Sequence, residues 1–266
     1  MRIISLCVEG IHQAAQKGLY VWLQDQDADI ICLQDLRAQE DELSSETFQI
    51  EGYHDYFFGS GEDNYSGVAI YSRVLPKALI YGLGFKSGID MQGRYLQVDF
   101  ERISVGSLLA PSAANDGDSQ AVKDNFFDEF QAHLHKISRK RRDFIFCGNW
   151  AMVPSAADVS NYEAQQHQSG CLPDERRWMQ QLFDEHEIGY GDAFRLGNSD
   201  KDEYSWWPSG QIGEGDAWRT DLQVISNHLK YQVEYAVMYK YKKGTEPFSS
   251  HLPVIVDYDL DIQDDI

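Results

Sequence analysis

Phe126-Phe127-Asp128-Glu129-Phe130-Gln131-Ala132-His133-Leu134-His135-Lys136-Ile137, then Arg139-Lys140-Arg141-Arg142, then Asp143-Phe144-Ile145-Phe146-Cys147-Gly148 form one readable unit. Val122, Phe126, Phe127, Phe130, Leu134 and Ile137 recur at helical spacing, so a helix over about 122–138 is expected with that face buried. The four basic residues close the helix where its dipole is negative. Phe144–Cys147 is short, apolar and ends in Gly148, which reads as a buried strand. Helix feeding strand is the signature of an α/β or α+β chain whose sheets are covered by helices.

Working outward, strands are expected at Arg2–Cys7, Ile30–Gln34, Ser66–Ser72, Tyr95–Phe100 and Ile103–Leu109, and later at Tyr204–Trp207, Leu222–Ile225, Val233–Tyr239 and Val254–Tyr258. Ile11, Ala14, Ala15, Leu19, Trp22 and Leu23 mark one helix over about 11–26. Another starts at Pro173-Asp174-Glu175, with proline in its first turn and acids at the positive dipole end, and buries Trp178, Leu182 and Phe183. Ser112–Asp118, Asn198–Glu203 and Gly210–Gly215 read as loops. No repeat or boundary interrupts the chain, and a single domain over 1–266 is expected.

The 266 residues, 42% hydrophobic and 13% aromatic, suit a folded globular protein. The start of the chain lacks the basic and apolar regions of a signal peptide, and no apolar run reaches membrane-spanning length. Cys7, Cys32, Cys147 and Cys171 show no paired metal-ligand spacing; we expect free thiols, no structural zinc and a cytoplasmic location. The formal charge of −20, from 43 acidic against 23 basic side chains, argues against a broad nucleic-acid grip. The acidic C-terminus through Asp264 and Asp265 reads as a solvated face. The main local reversal is Arg139, Lys140, Arg141 and Arg142, extended by His133, His135 and Lys136; helix capping accounts for one or two of these cations, and the run of four is read as an RNA or partner surface. Lys240, Lys242 and Lys243, interleaved with Tyr239 and Tyr241, read better as a half-exposed strand than as a base-stacking platform. Trp206 and Trp207 read as core or rim residues.

Six segments resemble, in order, the motifs of exonuclease III in the endonuclease/exonuclease/phosphatase family. They are Ile3-Ile4-Ser5-Leu6-Cys7-Val8-Glu9-Gly10, Asp29-Ile30-Ile31-Cys32-Leu33-Gln34-Asp35, Ser107-Leu108-Leu109-Ala110-Pro111, Phe146-Cys147-Gly148-Asn149-Trp150-Ala151, Arg219-Thr220-Asp221-Leu222 and Ser249-Ser250-His251-Leu252-Pro253-Val254. The resemblance implies an exonuclease III/DNase I-like, four-layer α/β/β/α sandwich of two stacked mixed sheets, with the motifs gathered at one end around a divalent metal.

Against the family pattern, Cys7 stands for asparagine, Asp35 for glutamate, Leu109 for tyrosine, Asn149 for the aspartate that orients the nucleophile, and Ala151 for a phosphate-binding asparagine. Ser250 stands for an aspartate, taken as the carboxylate behind the histidine. Asp221 and His251 match outright. The resemblance therefore implies a vestigial site at Cys7, Asp35, Leu109, Asn149, Ala151, Asp221, Ser250 and His251, with no catalytic residues, no cofactor and no bound metal, Asp35 being the remnant ligand. A closer likeness, carried by Gly67-Val68-Ala69-Ile70-Tyr71-Ser72-Arg73, Gly93-Arg94-Tyr95-Leu96-Gln97, Ser205-Trp206-Trp207-Pro208 and the basic run, is to the family's catabolite repression control branch. It implies a non-catalytic bacterial regulator that acts with the RNA chaperone Hfq on A-rich mRNA to repress translation. The alternative is a divergent magnesium- or manganese-dependent nuclease or abasic-site endonuclease using Asp35, Asp221 and His251.

Overall fold

Period-two burial along the strands builds the middle of the molecule. In β1 (Arg2–Cys7), Ile3 packs inward and Ile4 outward; in β8 (Asp143–Asn149), Ile145 and Cys147 face inward while Phe144 and Phe146 face outward. Strands apolar on both faces need cover on both, and the chain supplies it with a second sheet on one side and helices on the other.

The computed structural model describes residues 1–59, 66–113, 117–242 and 244–262. Its other strands are β2 (Ile30–Gln34), β3 (His54–Phe58), β4 (Val68–Ser72), β5 (Ala78–Tyr81), β6 (Tyr95–Asp99), β7 (Ile103–Leu109), β9 (Gly191–Asp192), β10 (Asp221–Ile225), β11 (Val233–Met238) and β12 (Val254–Tyr258). The helices are α1 (Ile11–Gln16), α2 (Leu19–Gln24), α3 (Gly117–Ile137), α4 (Tyr162–Gln165), α5 (Pro173–Phe183) and α6 (Ala193–Gly197). One sheet runs β11-β12-β1-β2-β4-β3 and the other β5-β6-β7-β8-β10-β9. Both are mixed, since β1 pairs parallel with β2 and β7 with β8 while their remaining pairings are antiparallel. α1 and α2 cover the first sheet with Ile11, Leu19 and Leu23; α3 and α5 cover the second with Phe126, Phe130, Leu134, Trp178 and Leu182. This is the expected α/β/β/α sandwich. No helix among the described residues is long and apolar enough to cross a membrane.

Polar side chains inside the sandwich fix how the sheets sit on each other. Gln34 donates to Ser107 across the interface at 2.9 Å, and Ser107 donates back to the Leu33 carbonyl at 3.0 Å. Gln223 of the second sheet donates to the Ile3 and Val254 carbonyls of the first, and accepts from the Tyr258 hydroxyl. Each such group has lost its water, so a lateral slip of one sheet would strand it at about 1–3 kcal/mol apiece.

Several local expectations change. The helix expected over 11–26 is two, because Gly18 takes φ 89° and breaks it. Val122 is exposed, and Lys123 is buried in its place with its ammonium 2.6 Å from Glu175 and 2.7 Å from the Ala151 carbonyl. Tyr204–Trp207 is no strand; Trp206 makes only isolated bridges to Trp218 and His251. β11 ends at Met238, so Tyr239, Lys240, Tyr241 and Lys242 lie beyond it, and Lys240 pairs with Glu203. β3, β5 and β9 were not anticipated. Within Ser112–Asp118 the helix already begins at Gly117, while residues 114–116, Lys243 and the acidic Asp264 and Asp265 lie outside the described residues. The four cysteines are buried and free.

Gly148 sits on β8 between Leu108 of β7 and Leu222 of β10. A Cβ there would run into the Leu108 carbonyl oxygen, a backbone atom that cannot move without breaking the ladder. Gly148→Ala should lower unfolding stability by about 2 kcal/mol or more. A urea midpoint unchanged at constant slope would refute this.

Candidate active-site cleft

The same alternation that builds the core delivers the site. Cys7, Asn149 and Asp221 continue the inward-facing series Ile3-Ser5-Cys7, Ile145-Cys147-Asn149 and Ile225-Gln223-Asp221. Parallel β1, β2, β7 and β8 end at one end of the sandwich, and antiparallel β10 and β12 begin there. Leu109, Asn149 and Asp221 are register partners in one row, and Asp35 and His251 enter from the connections after β2 and before β12. They surround a cleft of about 340 Å³ lined by Cys7, Glu9, Asp35, Arg37, Arg94, Leu109, Asn149, Ala151, Trp206 and His251, among others.

Its buried floor is an Asp–His pair. His251 Nδ1 lies 2.7 Å from Asp221 Oδ2, and the same oxygen accepts from Ser205 at 2.6 Å. Burial pushes the His251 ring toward neutrality, but the Asp221 carboxylate outweighs it, and the ring's pKa stands well above the ordinary value. Trp206 stacks on the ring with centroids 5.8 Å apart, and the His251 amide donates to Ser249 Oγ at 2.8 Å. Asp221 Oδ1 is buried without a partner.

This geometry corrects the role expected behind the histidine. The carboxylate there is Asp221, and it is present; Ser250 faces the other way, its amide and hydroxyl donating to Glu9 at 2.8 and 2.6 Å. Glu9 thus restores a carboxylate beside Ser250. Burial opposes its ionisation, but His251 and the Ser250 donors hold its carboxyl below the ordinary value. Asp35 is gripped by Arg37 at 2.7–3.1 Å, yet burial keeps its carboxyl above the ordinary value. Asn149 Oδ1 accepts from the Ala151 amide at 2.8 Å, and its Nδ2 points at Cys7 Sγ at 3.7 Å. Burial raises the Cys7 thiol's pKa against the pull of His251. Leu109 lines the wall and bonds nothing through its side chain.

Glu9, Arg37, Arg94 and Lys123 were missed by the reading of the sequence. Glu9 and Arg37 each lie two residues beyond a motif position and could have been sought there; Arg94 sat in a familiar segment without a role. Its guanidinium is largely buried at the cleft with Nε unpartnered, and burial lowers its pKa. Of the five non-glycine residues with positive φ among the described residues, Glu9, Asp35, Arg37 and Ala151 line this cleft. Such backbone costs of order 1–3 kcal/mol per residue and collects where side chains must be aimed.

The basic run lies elsewhere. It precedes β8, whose seven residues at roughly 3.3 Å each put it about 20 Å from Asn149 at the opposite end of the sandwich. Arg139, Lys140 and Arg141 are exposed, while Arg142 is spent on the Phe100, Glu101 and Ile103 carbonyls.

The family resemblance implies a divalent cation, and two carboxylates line the cleft, although Arg37 holds both Asp35 oxygens and Ser250 holds one Glu9 oxygen. Glu9 and Asp35 offer carboxylate oxygens within one cleft, the donor chemistry of a hard cation.

Comparison with known proteins places these features. The model of the "Endonuclease/Exonuclease/phosphatase family" matches residues 13–231. The chain is 29% identical over 258 residues to an exodeoxyribonuclease of Bacillus subtilis, covering 96% of this chain and 98% of that one. It is 27% identical to the DNA repair nuclease APEX1 of Danio rerio, covering 86% and 74%. Among solved structures, an AP endonuclease from Archaeoglobus fulgidus superposes with a TM-score of 0.84 at 22% identity, covering 98% of this chain and all of that one. The 3'-5' exonuclease NExo from Neisseria meningitidis gives 0.85, also at 22% identity and with the same coverage. Relatives named as nucleases along nearly the whole chain overturn the expectation of a non-enzyme, and the intact Asp221–His251 pair removes a main reason for it. The chain belongs to the endonuclease/exonuclease/phosphatase family, on its exonuclease III-like side.

Proposed function

We propose that this protein is a divergent, divalent-metal-dependent phosphodiester hydrolase acting on nucleic acid, of the exonuclease III or abasic-site endonuclease kind. The observation that carries the reading is the buried Asp221–His251 pair opening onto a cleft that also holds Arg37 and Arg94. Arg37, Arg94 and His251 bring cationic donors into that concavity beside the Glu9, Asp35 and Asp221 carboxylates, so a phosphate is favoured there once a bound cation offsets the acids. His251, kept protonated by Asp221 and held in plane by Trp206, is a donor for charge developing on a phosphate oxygen. Arg94, with an unpartnered Nε, supplies a second donor. Glu9 and Asp35 would hold the cation, whose bound charge offsets that of the phosphate. Asn149 has no proton affinity near neutral pH, so it orients neighbours and does not deprotonate water. That sets the expected rate well below that of a relative with a carboxylate at this position.

A second surface carries a second reading. Arg139, Lys140 and Arg141 are exposed cations at the far end of the sandwich, suited to an anionic partner, which we propose is A-rich RNA presented with Hfq. The cleft does not depend on it.

Purified protein should nick a duplex carrying one abasic site when given magnesium or manganese. Asn149→Asp should raise the rate by about 10²-fold, and His251→Ala should lower it by about 10²-fold or more. No metal-dependent cleavage above a no-protein control, or equal rates for wild type and His251→Ala, would remove the hydrolytic reading.

The His251 ring should still be protonated at pH 7, read from imidazole nitrogen shifts by NMR. Because its folded pKa is raised above the ordinary 6.5, the pair's contribution to stability is full below about pH 6.5 and is lost as pH rises through the folded value. Asp221→Asn removes the largest support for the charged ring, so the ring's pKa should fall from its raised value. A neutral ring at pH 7 in the wild type would contradict the assignment.

Arg139→Ala/Lys140→Ala/Arg141→Ala should leave stability within about 0.5 kcal/mol and abolish retardation of an Hfq–A-rich RNA complex. Retardation equal to wild type across a salt series would leave the run as a helix cap.

A further inference from the structure

Cys7 is chemically foreign to the hard-oxygen site around it. Magnesium and manganese prefer carboxylate, carbonyl and water oxygens, and a thiol adds little to their binding. Yet Cys7 is not packed away as an inert core thiol. It stands at the floor of the cleft beside His251, whose other contact is Asp221. Ligand atoms from these three residues, all buried, lie within 4.8 Å of one another. Such a trio of sulfur, imidazole nitrogen and carboxylate oxygen suits a borderline-soft cation.

We propose that Cys7, His251 and Asp221 form a binding site for a thiophilic divalent cation, zinc in its chemistry, separate in donor type from the Glu9 and Asp35 carboxylates. Two independent features point to a ligand. Asp221 Oδ1 is buried and bonded to nothing, though its carboxylate is 1% exposed; a buried lone oxygen of this kind usually costs about 1–3 kcal/mol and calls for a partner. Asn149 Nδ2 is aimed at Cys7 Sγ at 3.7 Å, a donor placed to support a thiolate once the thiol proton leaves.

The framework is already built. Ser249 Oγ donates to the Cys7 carbonyl at 2.7 Å and accepts from the His251 amide at 2.8 Å, tying the two ligand-bearing segments together. Ser205 and Thr220 hold Asp221 Oδ2 from behind, and Trp206 fixes the plane of the ring. Supports of this sort orient ligands in metal sites generally. Ligand atoms around a tetrahedral zinc lie roughly 3.3–3.8 Å apart, so the trio needs to close by no more than about 1.5 Å. The fourth position opens to the cleft. Binding releases the Cys7 thiol proton and the ring proton of His251 to solvent. The assignment does not depend on the chain being a hydrolase.

The test is titration of the reduced full-length protein with cobalt(II) as a spectroscopic stand-in for zinc. The expected result is one ion per chain, with thiolate-to-cobalt charge-transfer absorption in the near ultraviolet that added zinc abolishes. Cys171→Ser should keep the band, Cys7→Ser should lose it, and His251→Gln should weaken cobalt binding at least tenfold. Zinc-edge X-ray absorption of the wild type needs no variant to fold. One sulfur at about 2.3 Å and one imidazole nitrogen at about 2.0 Å would support the site. A charge-transfer band that is absent, or that survives Cys7→Ser, or a zinc shell made only of oxygen, would overturn it.

Discussion

The hydrogen bond between Asp221 and His251 joins the two halves of the molecule at the point where function is expected. Asp221 opens β10 of one sheet and His251 sits just ahead of β12 of the other, so their 2.7 Å contact is a cross-sheet bond as well as a charge pair. It closes the end of the sandwich that the Gln34–Ser107 and Gln223 bonds align farther in. Removing either partner would leave the other buried and unpaired, a loss of several kcal/mol. The pair persists because the fold needs it and the cleft can use it, and the two demands act on the same atoms.

Strain is concentrated at this end. Glu9, Asp35, Arg37 and Ala151 hold left-handed backbone where glycine would be easier, and each turns a side chain or an amide toward the cleft. Away from it, rigidity comes from buried ion pairs. Arg219, wholly buried, binds Asp158 and Asp192 at 2.7 and 2.6 Å, and Lys123 holds the segment carrying Ala151 through its carbonyl. These charged anchors sit behind the loops after β8 and before β10, which would otherwise fray and release Ala151 and Asp221.

Much of this was legible. Cys7, Asn149 and Asp221 lie at the ends of inward-facing runs, and it is the family resemblance that predicts that those ends meet. Asp35 and His251 follow from the order of the motifs. What the sequence hid was direction. Ser250 and Asp221 both stand near His251, and nothing in the linear order says which one lies behind the ring. Glu9 and Arg37 act through positive φ values that their residue types do not advertise. Lys123 defeats a helical-face reading because a buried lysine with a buried glutamate partner mimics a surface position. The missed β3 and β5 are edge strands, β5 exposed along its length, so neither shows the burial pattern by which strands are recognised.

The charge of the chain sharpens what the cleft can accept. At physiological ionic strength a charge is screened over about 8 Å, so the distant acids act weakly within the cleft, where Arg37 is paired with Asp35 and Arg94 keeps an unpartnered Nε, but they do oppose a polyanion lying along the surface. On the proposed hydrolytic reading, a substrate phosphate would have to reach the floor of the cleft. The same floor sets hard and soft donors side by side: carboxylates at the mouth, thiol and imidazole beneath. His251 stands between them. On the proposed readings it would act as a donor to phosphate while protonated and as a ligand beside Cys7 when deprotonated. On the proposed assignment Asp221 would serve both states, as the hydrogen-bond partner of the protonated ring and as a carboxylate ligand beside the neutral one.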